Sequence, residues 1–125
     1  AVAAADEKCE SPGETRSRII FVDAGFTVVS QQDIFDGTLL VGRVDLLLDG
    51  CVVVEFDGLV KYEGLDGKAN LAAEKLREQR LNRLGYEVVR IVWSDLSNPG
   101  ELIRRVREAR ALARERRAAM SRVGA

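Results

Sequence analysis

The sequence predicts one domain of the α/β (α+β) class, in which helices flank a mixed sheet. Secondary-structure patterns follow the order helix, three strands, helix, strand, helix, and three consecutive strands indicate an antiparallel meander. The fourth strand directly follows a helix, so it can pair parallel to one strand of the meander. The 125 residues are enough for one hydrophobic core.

The first helix is predicted from residue 12 to residue 24. Ser11 is placed as its N-cap, Pro12 takes the first helical position, and Glu14 lies at the capping-box spacing after the cap. Gly25 permits the left-handed conformation that ends a helix.

Three strands follow this helix. Residues 26–35 are rich in β-branched and aromatic side chains, and residues 39–48 and 51–57 are apolar runs on either side of Asp49-Gly50. An Asp-Gly pair between two such runs is a strong hairpin signal.

The register of this hairpin decides whether its acids meet. A strict two-residue turn would pair residue 45 with residue 54 and would place Asp45 and Glu55 on opposite faces. A three-residue turn or a bulge would pair 45 with 55 and 43 with 57. We expect the second register, because it gathers the acids on one face.

The rest of the chain predicts a loop over 58–67, a helix over about 68–84, a short strand over 86–93 and a last helix over about 101–120. The expected buried positions of the two helices are Ala69, Ala73, Leu76 and Leu84, then Leu102, Val106, Ala109 and Ala113.

Composition is that of an ordinary globular protein, with 46% hydrophobic and 31% charged residues. No apolar run approaches the roughly 20 residues of a membrane span. The first residues lack the basic-then-apolar order of a signal peptide. We therefore expect a soluble, cytoplasmic protein with no membrane partner.

The residue inventory restricts the chemistry, because the chain contains no histidine. This excludes Ser-His and Cys-His nucleophile pairs and imidazole metal ligands. Cys9 and Cys51 alone cannot form a zinc site, and we expect both as reduced thiols. Carboxylates, lysines and an oxygen-bound metal remain.

Charge is unevenly distributed along the chain. Residues 1–70 hold 13 acidic and 6 basic residues, a net charge of −7, whereas residues 71–125 hold 7 and 13, a net charge of +6. A basic half suits a polyanion, which the acidic half would repel unless a cation is bound there.

Three acids interrupt the apolar strands, namely Asp45, Glu55 and Asp57. Glu55 and Asp57 share a face because strand side chains alternate. Clustered carboxylates raise one another's pKa, and a divalent cation relieves the repulsion. Mg²⁺ and Mn²⁺ prefer such oxygen ligands and turn a bound water into a nucleophile.

The residues resemble a known family. Asp45 in "VD" and Glu55 ten residues later in "VVVEFDG" are similar to the PD-(D/E)XK nuclease superfamily. The longer pattern "SPGETRSR … GRVD … VEFDG…K … EKLREQR … GYEVVRIVW" resembles its branch near the very-short-patch repair endonucleases, found in many bacterial proteins. The resemblance covers about residues 10–97. It implies a restriction-endonuclease-like core, helix-strand-strand-strand-helix-strand, that cleaves phosphodiester bonds with Mg²⁺.

The resemblance also implies a set of metal ligands. Asp45 and Glu55 match the family's ligands, joined by the backbone carbonyl after the glutamate, here that of Phe56. Glu14 matches the acid that some members bring from the first helix.

The family's lysine normally lies two residues after the glutamate, where this chain has Asp57. We expect Asp57 to be an assisting acid and Lys61 to be the residue that stabilises charge on the phosphate. Lys75 is the alternative lysine, although Glu74 or Glu78 can equally pair with it on an exposed helix face.

Each candidate also has a purely structural interpretation. Glu14 can serve only the capping box, and Asp57 can pair with Arg43 across the strands. Lys61 can be a solvated surface lysine. The acids can also lie solvated on a strand face that never meets substrate. Trp93 and Tyr86, at the ends of a strand pattern, are expected to be packing residues.

The last helix carries eight arginines between residues 104 and 122 and three glutamates, at 101, 108 and 115. An ion-paired, solvated helix is the more common explanation of such a pattern. A phosphate-contacting helix is the alternative, and its binding would weaken steeply with salt.

These observations favour a Mg²⁺-dependent nuclease with DNA as its expected partner; RNA and a homodimer stay open. The alternative is an inactive nuclease-fold module that binds nucleic acid or a protein. We expect a single domain over residues 1–125, its core over about 11–97 and its basic helix over about 100–120. The resemblance implies an N-terminal segment, commonly a winged helix, so we expect this chain to be the C-terminal part of a longer protein.

Overall fold

A computed structural model describes residues 10–57 and 64–124. Within these residues the elements are α1 (Pro12–Asp23), β1 (Val28–Asp36), β2 (Leu39–Leu48), β3 (Val52–Phe56), α2 (Gly64–Arg83), β4 (Glu87–Ile91), a short 3₁₀ helix (Trp93–Ser97) and α3 (Pro99–Gly124).

The four strands form one mixed sheet in the order β1-β2-β3-β4. β1 pairs with β2 and β2 with β3 in antiparallel fashion, whereas β3 and β4 are parallel. The predicted α+β class and the predicted parallel fourth strand are therefore confirmed.

Helix α1 begins with the predicted capping box. The Ser11 N–H donates to Glu14 Oε2 over 2.8 Å, and the Glu14 N–H donates to Ser11 Oγ over 3.2 Å. Two otherwise unpaired amides at the helix start are thereby satisfied. The helix ends at Asp23, and Gly25 has a φ of 97°.

The hairpin between β2 and β3 has the predicted three-residue register. Leu48 lies opposite Val52 and Leu46 opposite Val54, so residues 49–51 form the turn. Asp49 and Gly50 both have positive φ, 50° and 71°, which Asp and Gly tolerate better than most residues.

Two hydrophobic clusters lie on the two faces of the sheet. The larger joins α1, α3 and the sheet, and includes Phe21, Leu46, Val54, Leu102 and Val106. The smaller lies under α2; its buried members are Ile34, Val44, Val53 and Leu81.

Helix α2 differs from its prediction in length and in its buried face. It begins at Gly64, so residues 64–67 are helical rather than loop, while the predicted loop residues 58–63 lie outside the described residues. Ala69, Ala73 and Leu76 are exposed, contrary to expectation. Burial of α2 is concentrated at Leu81, and partly buried Leu84 packs beside it.

Helix α3 packs as predicted, since Leu102, Val106, Ala109 and Ala113 are all buried. Cys51 is buried as a free thiol, whereas Cys9 lies outside the described residues. Of the helices in the described part of the chain, none is long and apolar enough to cross a membrane.

Candidate active site where β2 and β3 separate

Strand β2 changes faces at Asp45. Val44 belongs to the cluster under α2, whereas Leu46 belongs to the cluster under α1 and α3. Residues two apart in a regular strand share a face, so the strand must rotate here. On the neighbouring strand Gln31 has a φ of 52°, in the left-handed region, between the pairs formed by Ser30 and Gln32.

This rotation places the Asp45 carboxylate between the strands. Asp45 Oδ2 accepts the N–H of Phe56 over 2.9 Å, in the place of a ladder hydrogen bond. The paired register of β2 and β3 ends at Leu46 and Val54. The predicted pairs 45–55 and 43–57 are therefore not formed, because a side chain occupies the position where the ladder would continue.

Glu14 reaches this point from the first turn of α1. Its carboxyl lies within hydrogen-bonding reach of Asp45, and Gln31 Nε2 donates to Glu14 Oε1 over 3.4 Å. Glu14 is only 9% exposed. The capping box and the contact with Asp45 thus coexist, and one carboxyl group makes both.

The Asp45 carboxyl holds its proton unusually well. Burial and the neighbouring Glu14 carboxyl raise the pKa of Asp45 to about 6, although the Phe56 N–H and Arg77 favour the ionised form. Two carboxyl groups in contact in a partly dry site favour sharing one proton or binding a cation.

Glu55 takes part in an ion pair with Arg77 of α2. Arg77 Nη1 lies 2.5 Å from Glu55 Oε1, and both side chains are mostly buried, with 16% and 17% exposed. Burial raises the pKa of Glu55, while the bond from Arg77 opposes that rise. Glu55 therefore lies near Asp45 but is directed to α2 rather than to Glu14.

Arg77 is a site residue that the sequence analysis did not identify. Its Nη2 donates to the carbonyl of Arg43 over 3.1 Å, so the guanidinium bridges β2 and β3 where they separate. A Cβ at Gly42 would lie 2.8 Å from Arg77 Nε. Gly42 is the sequence signal that could have indicated this contact, because a glycine inside a strand often marks the close approach of another group to the backbone.

The Phe56 carbonyl is directed toward the Asp45 side of β3. The Asp57 N–H, in the same peptide unit, donates to Ile91 of β4 over 2.8 Å. Because the N–H and C=O of a trans peptide point in opposite directions, the Phe56 carbonyl points away from β4 and toward β2.

Asp57 lies on the α2 side, where it lines an open cavity of about 250 Å³ with Leu71, Glu74, Lys75, Glu78 and Arg90. The structural alternative for Asp57, a pair with Arg43, is not formed, because Arg43 Nε binds Asp33 Oδ1 over 2.9 Å. Exposed neighbours across a strand pair compete for such contacts, and Asp33 lies directly opposite Arg43.

The candidate lysines contribute no described contact to the acids. Lys61 lies outside the described residues, and Lys75 is exposed on α2. The carboxylates of Glu74 and Glu78 bind Arg90 Nη2 over 3.2 and 3.3 Å. Within the described residues, Arg77 is the cation in contact with the candidate acids.

Several arginines of α3 form ion pairs and hydrogen bonds within the molecule. Arg110 pairs with Asp49 over 2.7 Å, and Arg117 donates to the carbonyls of Gly50 and Gly85 over 2.9 Å each. Arg104 pairs with glutamates on its own helix. These contacts favour the ion-paired interpretation of the helix.

The donor set suits a hard cation only in part. Glu14, Asp45 and the Phe56 carbonyl offer oxygen atoms of the kind that Mg²⁺ prefers. Among residues 10–57 and 64–124, however, no three side chains of His, Cys, Asp or Glu gather as a metal-binding group. The pairing of Glu55 with Arg77 accounts for this, because it directs Glu55 away from the other two acids.

Comparisons with protein-family models, with curated proteins and with solved structures each found no match. The resemblance to the PD-(D/E)XK superfamily therefore stays a prediction that depends on the residues quoted above.

Proposed function

We propose that this chain is a metal-dependent nuclease with a restriction-endonuclease-like core, which hydrolyses DNA phosphodiester bonds using Mg²⁺, with Mn²⁺ as a substitute. The observation that carries the proposal is the contact between the Glu14 and Asp45 carboxyls, with the pKa of Asp45 raised to about 6 by burial and by Glu14. Burying two acids against each other costs stability, and functional sites are where proteins retain such costs.

Glu14, Asp45 and the carbonyl of Phe56 would hold the metal ion. Bound there, the metal would supply Lewis acidity and lower the pKa of a water. Above about pH 6 Asp45 is largely ionised and can bind it, whereas below that pH a proton on Asp45 competes with the metal.

Arg77 is proposed to take the place of the missing lysine. Its guanidinium already spans Glu55 and the Arg43 carbonyl, and a planar guanidinium is well suited to binding phosphate oxygens. Glu55 would orient Arg77. When a phosphate replaces Glu55 as the partner of the Arg77 guanidinium, the Glu55 carboxylate would be able to join the metal ligands. Asp57 remains an assisting acid beside the cavity under α2.

Metal binding is the first test. Thermal unfolding is measured with and without Mn²⁺ and Mg²⁺; an ion at a hundredfold excess over its Kd stabilises the folded state by about 2.7 kcal/mol. Asp45→Asn should abolish this stabilisation. Glu101→Gln, which changes an exposed glutamate of α3, should retain it. Equal stabilisation of both variants would contradict the proposed ligands.

Cleavage is the second test. Plasmid, single-stranded DNA and RNA are incubated with the protein, each with and without Mn²⁺. Asp45→Ala and Glu55→Ala should abolish metal-dependent cleavage, and Arg77→Ala should reduce kcat by roughly 10² to 10³ fold. Lys75→Ala should cleave like the parent protein. Metal-dependent cleavage by the Asp45 or Glu55 variant would show that the mechanism is wrong.

A second function is favoured by the Arg77–Glu55 ion pair, which neutralises one of the acids without any metal. The chain would then bind nucleic acid, or a protein partner, without cutting it. Calorimetric titration distinguishes the two functions. If the protein binds DNA but binds neither Mg²⁺ nor Mn²⁺, the result would support the binding module and contradict the nuclease.

A further inference from the structure

Trp93 is more exposed than a packing residue. It begins the 3₁₀ helix after β4, and 44% of it is accessible to solvent. Tryptophan has the largest apolar surface of any side chain, and such exposure is enriched at binding sites. It is also the single tryptophan of the chain.

The ring of Trp93 is held against a rigid support. The rings of Phe56 and Trp93 meet edge to face, with centroids 5.1 Å apart and an interplanar angle of 86°. Phe56 is itself packed against the backbone of α1, because a Cβ at Gly13 would lie 2.3 Å from its ring. The exposed indole is therefore prepositioned.

A planar cation already lies over this ring. The guanidinium carbon of Arg16 lies 5.8 Å from the Trp93 centroid, within the range of a cation–π contact. Arg16 is exposed on α1. A guanidinium and a nucleobase are both flat groups that stack on aromatic rings, so a base can take this place and release Arg16 toward its phosphate.

The aromatic support and the acid pair share the same residues. Phe56 supports Trp93 with its ring and donates its N–H to Asp45. Gly13, which packs on that ring, directly precedes Glu14. A base on Trp93 would thus belong to a nucleotide next to the candidate active site.

We propose that Trp93 and Arg16 form a binding site for an unpaired nucleobase. This inference rests on the proposed function, since it assigns the substrate of that site as a strand with at least one unstacked base. Bases inside a duplex have both faces covered by their neighbours, so only single-stranded or extruded nucleotides can stack on Trp93.

The emission of Trp93 provides a direct test. The protein is titrated with an oligo(dT) strand, and separately with a blunt duplex of equal length, in buffer with chelator so that metal-dependent cleavage is absent. Stacking on the indole should quench its fluorescence with the single strand and change it little with the duplex. Equal responses to both ligands, or no response to either, would overturn the inference.

Variants test the same site by the anisotropy of a labelled oligo(dT). Trp93→Ala should weaken binding by roughly 5- to 150-fold, the range of one lost base stack. Trp93→Phe should retain most of the affinity. Arg16→Ala should weaken binding and reduce its salt dependence, since one phosphate contact is lost.

Phe35→Ala is the matched control, because Phe35 is also an exposed aromatic residue, 55% accessible, near the end of β1. It should bind oligo(dT) like the parent protein. Circular dichroism of each variant shows whether it is folded. If Trp93→Ala is folded and binds oligo(dT) as tightly as Trp93→Phe and Phe35→Ala do, the proposed site is wrong.

The two proposals fail in different ways. If oligo(dT) quenches Trp93 but no metal-dependent cleavage occurs, the nuclease proposal fails and the base-binding site stands. If cleavage depends on Asp45 while Trp93→Ala binds and cleaves single strands normally, the nuclease proposal stands and the base-binding site fails.

Discussion

The same tripeptide, Pro-Gly-Glu, begins both α1 and α3, yet the two helix starts have different surroundings. Glu14 of α1 is buried and contacts Asp45, whereas Glu101 of α3 is exposed and pairs with Arg104. A Cβ at Gly13 would collide with Phe56, while a Cβ at Gly100 would have no heavy atom within 4 Å.

This difference shows that a helix cap and a candidate active site can use one local motif. Ser11 and Asn98 each accept the N–H of the glutamate three residues later, over 3.2 and 3.4 Å. The local chemistry is thus alike at both starts. What distinguishes them is what lies against the Gly-Glu pair, which is the separated ends of β2 and β3 at the start of α1 and solvent at Gly100 and Glu101.

The largest difference is expected between Gly13→Ala and Gly100→Ala. Overpacking against Phe56 should destabilise the Gly13 variant by about 1–3 kcal/mol. The Gly100 variant should be neutral or stabilised by up to about 1 kcal/mol, since alanine restricts the unfolded chain. Urea unfolding measures both, and similar stabilities would show that Phe56 does not contact α1 closely.

The helix caps should differ by less. Ser11→Ala removes one half of a capping box and should cost about 1 kcal/mol. Asn98→Ala removes a longer hydrogen bond and should cost less. Thermal unfolding of both variants tests this order. A larger loss of stability for Asn98→Ala than for Ser11→Ala would contradict this order.

The dependence of folding stability on pH should respond to substitution of Glu14 but not of Glu101. The folded protein holds the Asp45 proton more tightly than the unfolded chain, with a pKa of about 6 instead of 3.8, because of burial and Glu14. The contribution of Asp45 to stability therefore declines as the pH rises from about 4 to about 6 and is lowest above that window.

Glu14→Gln should reduce this decline, because one cause of the raised pKa of Asp45 is removed, and Asp45→Asn should abolish it. Glu101→Gln should leave it as in the parent protein. Urea unfolding at pH 4.5 and pH 7.5 measures each difference. An identical decline in the parent protein and in Asp45→Asn would assign it to other groups.

The smallest effect is expected from Arg104→Ala. Its partners Glu101 and Glu108 lie on the same exposed helix face, and such pairs contribute about 0.5 kcal/mol or less. Thermal unfolding at low and high salt measures this contribution. A loss above 1 kcal/mol would mean that the start of α3 also depends on a specific contact.

Much of the fold was predictable because its signals are local. The capping box of α1, the Asp49-Gly50 turn and the buried positions of α3 follow from neighbouring residues and from helical or strand periodicity. The apolar side of α2 was predicted wrongly for a related reason. Periodicity assumes that apolar residues face the core, whereas α2 directs Arg77 to the sheet, where Glu55 binds it.

By itself the sequence determined the order of elements, the mixed sheet and the acids available for chemistry, because each depends on residues close together in the chain. Only the tertiary structure decided that Glu14 contacts Asp45, that Arg77 binds Glu55 and that Trp93 is exposed beside Phe56. These contacts join residues 22 to 37 positions apart in the chain. They depend on how β2 rotates at Asp45 and how closely α1 approaches β3, and no local pattern encodes those distances.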